Sequence, residues 1–260
     1  ICRMHYSNPV TASMAWESLK VFTNFDDAVG GSSGFVKTGY LVIVEDSDRP
    51  GLERNVAMQQ DLGINTGLVT AAEVRELAPM LAVDETEAMA WEPESGYADP
   101  YMLTTSYAAR ARELGAEIKM RAPAQKIEVA GDRVRAVVTD EGRVETPVAV
   151  VAAGPWSKIE LAKLGVDIPL VPVRHQVAIL TRPLDLIPDH PIVGDIAQSL
   201  SFRPDGSSMT MLGVGEDDVA DVDNYNQGIE MSGIAEALGR MARRMPAMAD
   251  SYVRGGWAGL

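Results

Sequence analysis

The segment at residues 148–156 (VAVVAAGPW) has the residue types of a strand that ends at a ligand. Its run of small and β-branched apolar residues predicts a strand buried on both faces, as in a parallel sheet. The run ends at Ala153 and Gly154, whose small size lets a flat or charged ligand approach the backbone. A core strand followed by a tight turn would look the same, so this segment alone leaves both interpretations open.

Other residue patterns exclude metal and phosphate-loop chemistry. The three histidines lie far apart, without an acidic partner at ligand spacing, so the sequence predicts no metal site. The glycine-rich stretch 30–34 would need the first glycine of a G-x-G-x-x-G loop at Ala28. The stretch that begins at Gly213 has Asp218 at the sixth position of that motif and lies in an acidic loop at residues 216–223, so we reject it as well.

The charge balance excludes two classes of partner. There are 37 acidic and 23 basic residues, and a net charge of -14 repels nucleic acid and anionic membrane surfaces. No apolar run is long enough to span a membrane, and no signal peptide is visible. The single cysteine, Cys2, excludes an internal disulfide framework and favours a reducing compartment, so we expect a cytoplasmic protein.

The elements that must position these residues alternate between helices and strands. Periodicity, capping residues and turns predict them. The predicted helices cover residues 10–25, 50–62, 100–114, 157–164 and 226–245, and a capping box at Thr70 and Glu73 starts a further short one. The predicted strands cover residues 35–44, 88–91, 116–120, 124–129, 133–139, 144–147, 170–181, 200–203 and 209–213. The order predicts a mixed α/β and α+β chain with a β-meander, a common insertion in dinucleotide-binding sheets.

Seven segments, in order along the chain, resemble the D-amino acid oxidase-like superfamily of FAD-dependent amine oxidoreductases. The resemblance is strongest to the branch that contains the sarcosine oxidase β subunit and the sarcosine and dimethylglycine dehydrogenases. The matching segments are 3–7 (RMHYS), 35–41 (FVKTGYL), 96–100 (GYADP), 115–118 (GAEI), 151–157 (VAAGPWS), 172–176 (PVRHQ) and 202–204 (FRP).

The resemblance implies a fold, a cofactor and a reaction. It implies a partial Rossmann-like FAD-binding domain at residues 93–165, and a substrate domain with a mixed or antiparallel sheet and helices on one face, formed by residues 1–92 and 166–260. The implied reaction is hydride transfer from a small secondary or tertiary amino acid, such as sarcosine, to FAD, which leaves an imine. Such enzymes begin with a phosphate-binding loop and end with a glycine-rich stretch. We therefore expect the chain to be the middle of the enzyme, cut at both ends and inactive as it stands.

The resemblance also assigns roles to individual residues. Ala124 matches a position whose backbone meets the adenine end of FAD, and Ala153, Gly154 and Trp156 match the segment that lines the dinucleotide. Three further residues match the substrate side and are candidates for catalysis: Arg3, His5 and Tyr6. Arg3 matches an arginine that helps to bind the substrate carboxylate, for which a forked, permanently charged donor is suited. A histidine such as His5 can assist deprotonation of the amine.

Each assignment has a simpler structural alternative, and two other functions stay open. Ala124 can be an ordinary sheet residue, Arg3 can pair with a surface acid, and His5 can be structural. One alternative function is a related flavoenzyme acting on glycine, D-amino acids or glycerol phosphate, although the acidic loop argues against a phosphate substrate. The other is a non-catalytic fragment or binding subunit without flavin. The resemblance implies a small amino acid as ligand and is compatible with a hetero-oligomer of oxidase subunits.

Overall fold

The structure of the chain, a computed structural model, describes residues 1–214 and 218–260. Gly215 and the first two residues of the acidic loop, Glu216 and Asp217, lie outside the described residues. The described part divides into two compact units. The first unit comprises residues 1–110, 175–214 and 226–259, and the second comprises residues 111–174, 218–225 and 260.

Seven α-helices and thirteen strands are found among the described residues. The helices are α1 (Pro9–Thr23), α2 (Phe25–Ala28), α3 (Arg49–Asp61), α4 (Ala71–Leu77), α5 (Pro100–Glu113), α6 (Ser157–Ala162) and α7 (Met231–Arg244). The strands are β1 (Val36–Lys37), β2 (Tyr40–Val44), β3 (Gly67–Val69), β4 (Ala88–Glu92), β5 (Gly96–Tyr97), β6 (Ala124–Ala130), β7 (Arg133–Thr139), β8 (Gly142–Glu145), β9 (His175–Thr181), β10 (Ile192–Asp195), β11 (Leu200–Asp205), β12 (Met209–Val214) and β13 (Val253–Gly259). Over the described part of the chain, no helix is long and apolar enough to cross a membrane.

Local chemistry starts several helices where the sequence predicts them. The Asn8 side chain accepts hydrogen bonds from two backbone N–H groups of the first turn of α1. The capping box of α4 is complete, since Thr70 and Glu73 each bond the backbone of the other. Asp99 accepts from the backbone N–H of Met102 at 2.8 Å and so caps α5.

An eight-stranded mixed sheet is the centre of the first unit. Its strand order is β13-β9-β12-β11-β10-β2-β4-β3. Strands β2 and β10 run parallel, and the other described neighbours are antiparallel. The predicted pairing of the strands around residues 204–206 is confirmed by the β11–β12 hairpin. The predicted mixed α/β fold class is therefore confirmed.

The alternating side chains of β2 divide the core of this unit between the two sheet faces. Leu41 and Ile43 pack with residues of α4 and α7. Tyr40, Val42 and Val44 point the other way and pack with Leu52 and Val56 of α3. The predicted layer of helices on one face is present, and α3 adds cover on the second face.

The second unit contains the β-meander, formed by β6, β7 and β8 in antiparallel order, as predicted. The prediction of a doubly buried strand over residues 148–152 is wrong. These residues are not in a strand, and Val148 and Val150 are 69% and 86% exposed. A strand needs neighbours for its backbone N–H and C=O groups, and no described strand pairs with this segment. The predicted strand over residues 116–120 is also absent, for the same reason.

Candidate functional site

A half-buried arginine, Arg3, lies between two aromatic rings in the first unit. Its guanidinium carbon is 4.7 Å from the ring centre of Tyr6 and 5.7 Å from that of Tyr40, so both rings stabilise the cation by cation–π attraction. One nitrogen donates to the backbone carbonyl of His5 at 2.7 Å. Within residues 1–214 and 218–260, no carboxylate lies within ion-pair distance of Arg3.

A second arginine of this unit shows what a structurally paired guanidinium looks like. Arg203 on β11 lies 4.4 Å from the ring centre of Tyr97 and forms an ion pair with Asp205 at 3.0 Å. Its charge is therefore compensated inside the protein. Arg3 has the same aromatic contact but no carboxylate partner in the described part of the chain, so it can bind an external anion.

His5 borders two buried polar side chains. The Nδ1 atom of its ring is 3.6 Å from a carboxylate oxygen of Glu92 and 3.3 Å from the amide nitrogen of Gln59. Glu92 and Gln59 are both completely buried. They come from β4 and α3, which pack on each other and so bring residues 59 and 92 to the same histidine.

Tyr40 completes this cluster through the register of the sheet. It pairs with Glu92 across the antiparallel strands β2 and β4, so their side chains lie on the same face. Burial raises the pKa of the Tyr40 phenol; the charge of Arg3 opposes this shift and the charge of Glu92 adds to it. Tyr40 therefore stays a neutral ring beside Arg3 at neutral pH.

The second unit contains a cavity of about 650 Å³. Residues of β6 and β7, of the segment that follows the meander, and of α6 and the residues after it line the cavity. They are Ala124, Gln125, Lys126, Ile127, Val137, Ala149, Val150, Val151, Ala152, Ala153, Trp156, Glu160, Lys163 and Leu164. Four alanines with small side chains leave the cavity open, and valine, isoleucine, leucine and tryptophan side chains make its lining mostly apolar.

A turn at residues 154–156 shapes one end of this cavity. Gly154 has a φ of +55°, a left-handed conformation that favours glycine, and begins a 3₁₀ turn that ends at Trp156. The indole N–H of Trp156 donates to Asp223 at 2.8 Å. This bond holds the ring at the cavity, where the sequence predicts a ligand.

The structure assembles the predicted site residues into two groups. Arg3, His5 and Tyr6 lie together in the first unit, and Ala124, Ala153 and Trp156 line one cavity in the second. Gly154 adjoins that cavity in the turn. The sequence patterns above do not predict roles for Glu92 and Gln59, although a carboxylate at the end of the apolar strand AMAWE is a signal for a polar site. In the described part of the chain, no cluster of three His, Cys, Asp or Glu side chains could hold a metal ion.

Known proteins with similar sequences include sarcosine and dimethylglycine dehydrogenases and a regulatory subunit of pyruvate dehydrogenase phosphatase. The chain is 27% identical over 199 residues to human mitochondrial sarcosine dehydrogenase, an alignment that covers 74% of this chain and 22% of that protein. It is 28% identical over 162 residues to rat mitochondrial dimethylglycine dehydrogenase, covering 62% of this chain and 19% of that protein. The chain thus spans about a fifth of the length of these relatives.

Solved structures show the same fold. L-proline dehydrogenase from P. horikoshii superposes with a TM-score of 0.86 at 24% identity, over 99% of this chain and 68% of that chain. Glycine oxidase from Geobacillus kaustophilus superposes with a TM-score of 0.77 at 19% identity, over 97% of this chain and 67% of that chain. A family model described as FAD dependent oxidoreductase, DAO, matches residues 1–260. The chain therefore belongs to the DAO family of FAD dependent oxidoreductases.

Proposed function

We propose that the protein oxidises a small secondary or tertiary amino acid, of the sarcosine type, with FAD as hydride acceptor. The observation that carries this proposal is Arg3, a guanidinium held by two aromatic rings and without a carboxylate partner among the described residues. An arginine fork in this state matches the carboxylate of an amino acid.

We infer that the cavity of the second unit holds part of FAD. Small side chains at Ala124 and Ala153 leave room for a flat ring, and Trp156 offers an aromatic edge. The backbone of residues 149–152 pairs with no described strand, which leaves N–H groups able to bond polar atoms of a ligand. We propose that Ala124, Ala153 and Trp156 contact the dinucleotide and that Gly154 allows the turn beside it.

The chemistry divides between cofactor and protein. Bound FAD would supply the hydride acceptor. The protein must hold the substrate carboxylate, which we assign to Arg3, and the substrate nitrogen must lose its proton, which we assign to His5. Tyr6 and Tyr40 hold the guanidinium in place, because their rings contact it from two directions.

An anaerobic flavin-reduction experiment on the full-length protein tests the substrate class. We expect sarcosine or dimethylglycine to bleach the visible flavin band, and the corresponding amine without a carboxylate to leave it. Bleaching by glycine, a D-amino acid or glycerol phosphate alone would overturn the substrate and support a related flavoenzyme. A protein that retains no FAD would overturn the enzymatic function and support a non-catalytic binding subunit.

Substitution of Arg3 tests its role in binding the substrate carboxylate. In Arg3→Met we expect the KM for sarcosine to rise about 10- to 100-fold, since charge-assisted hydrogen bonds contribute about 1.5–3 kcal/mol. Arg75→Met is a matched control, because Arg75 is an exposed arginine that pairs with Glu85. An unchanged KM in Arg3→Met would exclude Arg3 as the carboxylate anchor.

Three further assignments are part of this proposal. Residues 93–165 belong to the FAD domain, and residues 1–92 and 166–260 to the substrate domain. We also propose a cytoplasmic location, on the basis of the single cysteine, and assembly with other oxidase subunits. Fractionation of cells and the mass of the native complex test the last two.

A further inference from the structure

The carboxylate of Glu92 is buried with only one of its oxygens satisfied. Its Oε2 accepts from the backbone N–H of Met4 at 3.1 Å and from the hydroxyl of Ser95 at 2.9 Å. Its Oε1 is buried and has no hydrogen-bond partner among the described residues. A buried carboxylate oxygen without a hydrogen-bond donor lowers the stability of the fold. A donor group placed beside Oε1 would therefore stabilise the cluster.

The ring nitrogen of His5 is in the position to supply that proton. Nδ1 lies 3.6 Å from Glu92 Oε1, which is an ion-pair distance and slightly too long for a hydrogen bond. Hydrogen bonds of this kind are often long before a ligand binds. A proton on Nδ1 would satisfy the unpartnered oxygen after a contraction of a few tenths of an ångström.

Gln59 competes for the same nitrogen. Its Nε2 lies 3.3 Å from His5 Nδ1, but equally 3.3 Å from the backbone carbonyl of Tyr6, which can accept its hydrogen instead. Its Oε1 is also buried and has no hydrogen-bond partner in the part of the chain that the structure describes. The cluster therefore has two oxygens without donors, and a proton on Nδ1 reduces that deficit, whereas a lone pair there would increase it.

We propose that Glu92 is a positioning residue that keeps the proton of His5 on Nδ1 and so presents the lone pair of Nε2 to the substrate. This inference rests on the proposed function, because the proton in question is that of the substrate ammonium. The N–H bond of the ammonium breaks, its proton binds Nε2, and the electron pair stays on the amine nitrogen. The resulting imidazolium faces Glu92 as its counter-ion.

The charges around His5 support this arrangement. Arg3 donates to the backbone carbonyl of His5, so a fixed cation lies beside the histidine. A second cation on the imidazole would be repelled, and Glu92 is the carboxylate within ion-pair distance that offsets this repulsion. Burial raises the pKa of Tyr40, so its phenol stays uncharged beside these groups at neutral pH.

The tautomer of His5 can be measured directly, without catalysis. In full-length protein labelled with ¹⁵N-histidine, the resonances of His5 are identified by their loss in His5→Gln. We expect the Nδ1–H tautomer in the parent protein. In Glu92→Gln, the new amide can donate to Nδ1, so we expect the Nε2–H tautomer. Glu45→Gln, at an exposed position directly after β2, is the control and should change nothing.

A second variant separates this proposal from a loss of folding in Glu92→Gln. Gln59→Leu removes the competing amide and leaves the pair of His5 and Glu92, so we expect it to retain the Nδ1–H tautomer. An Nε2–H tautomer in the parent protein, or loss of the Nδ1–H form in Gln59→Leu, would overturn the proposal. Circular dichroism of each variant shows whether it is folded.

Rates of flavin reduction test the proton transfer itself. We expect Glu92→Gln to lower the rate at saturating sarcosine at least 10-fold with little change in KM, and to lower it no further in a His5→Gln background. Independent, multiplicative effects of the two substitutions would overturn the positioning role. If no amine reduces the flavin of the parent protein, the proposed function fails, while the tautomer experiment still decides whether Glu92 orients His5.

Discussion

The phenol of Tyr40 lies directly over Gly194 on the neighbouring parallel strand. A β-carbon at position 194 would be 2.1 Å from the phenolic oxygen. The glycine therefore provides the space that lets Tyr40 reach the guanidinium of Arg3. Position 194 thus affects the site through Tyr40.

Gly194→Ala should displace Tyr40 and destabilise the protein. Overpacking of this kind costs about 1–3 kcal/mol, which urea unfolding measures. Gly239→Ala is a matched control, because Gly239 is an exposed helix residue with open space around it. There we expect a gain of about 0.5–1 kcal/mol from helix propensity. Equal free energies of unfolding for the two variants would show that Tyr40 moves away from the added methyl group without a loss of stability.

His190 should make the protein sensitive to acid. Its Nδ1 donates to the carbonyl of Pro191 and its Nε2 accepts from the hydroxyl of Thr210, both at 2.8 Å. Burial lowers the pKa of His190 from 6.5 to about 4. Because the unfolded state binds the proton first, the contribution of His190 is complete above pH 6.5 and is lost as the pH falls towards 4. The loss amounts to about 3 kcal/mol at about 1.4 kcal/mol per pKa unit.

The His190→Gln variant provides the control for this pH dependence. We expect lower stability than the parent protein at pH 7.5, from the lost packing and hydrogen bonds. Between pH 6.5 and 4, its stability should fall less steeply than that of the parent protein. Parallel stability curves for the two proteins would assign the acid sensitivity to other groups.

Arg244 should be among the most sensitive positions for stability. Its guanidinium is buried and bonds Asp195 at 2.6 Å, Glu87 at 2.9 Å and the carbonyl of Ala82 at 2.6 Å. Arg244→Met leaves two carboxylates without their cation, and removal of one partner of a buried ion pair costs about 3–5 kcal/mol. The neighbouring Arg243 is exposed, and Arg243→Met should change the unfolding free energy by less than about 0.5 kcal/mol.

Ala153→Leu should weaken FAD binding by filling the cavity of the second unit. We expect the full-length variant to retain at least 10-fold less flavin after gel filtration, as measured from the ratio of visible to ultraviolet absorbance. Ala162→Leu places the same side chain at an exposed position of α6 that does not line the cavity. Full flavin content in Ala153→Leu would exclude this cavity as the cofactor site.

Elements with local signals could be predicted from the sequence. The capping box of Thr70 and Glu73, the cap of Asp99 and the hairpin of β11 and β12 depend on residues a few positions apart. Their formation needs no knowledge of the rest of the chain. The mixed fold class follows from the order of such elements.

The predictions that are wrong or missing concern contacts between residues far apart in the sequence. Residues 148–152 have the composition of a buried strand, but a strand forms only where a partner exists, and composition does not report partners. Glu92 and Gln59 meet His5 across separations of 87 and 54 residues. Only the pairing of β2 with β4 and the packing of α3 bring them together. The roles of Arg3, His5 and Tyr6, and the domain boundaries, stay predictions.

The parallel pairing of β2 with β10 also determines when the sheet can be completed during synthesis. It joins residues 40–43 to residues 192–195, which leave the ribosome about 150 residues later. Until then, the strand group of β2, β4 and β3 has an open edge whose five β2 residues are all buried in the finished sheet. Until β10 has been synthesised, this apolar edge can pair with strands of other chains. Chaperones protect partly folded chains with such exposed edges from aggregation.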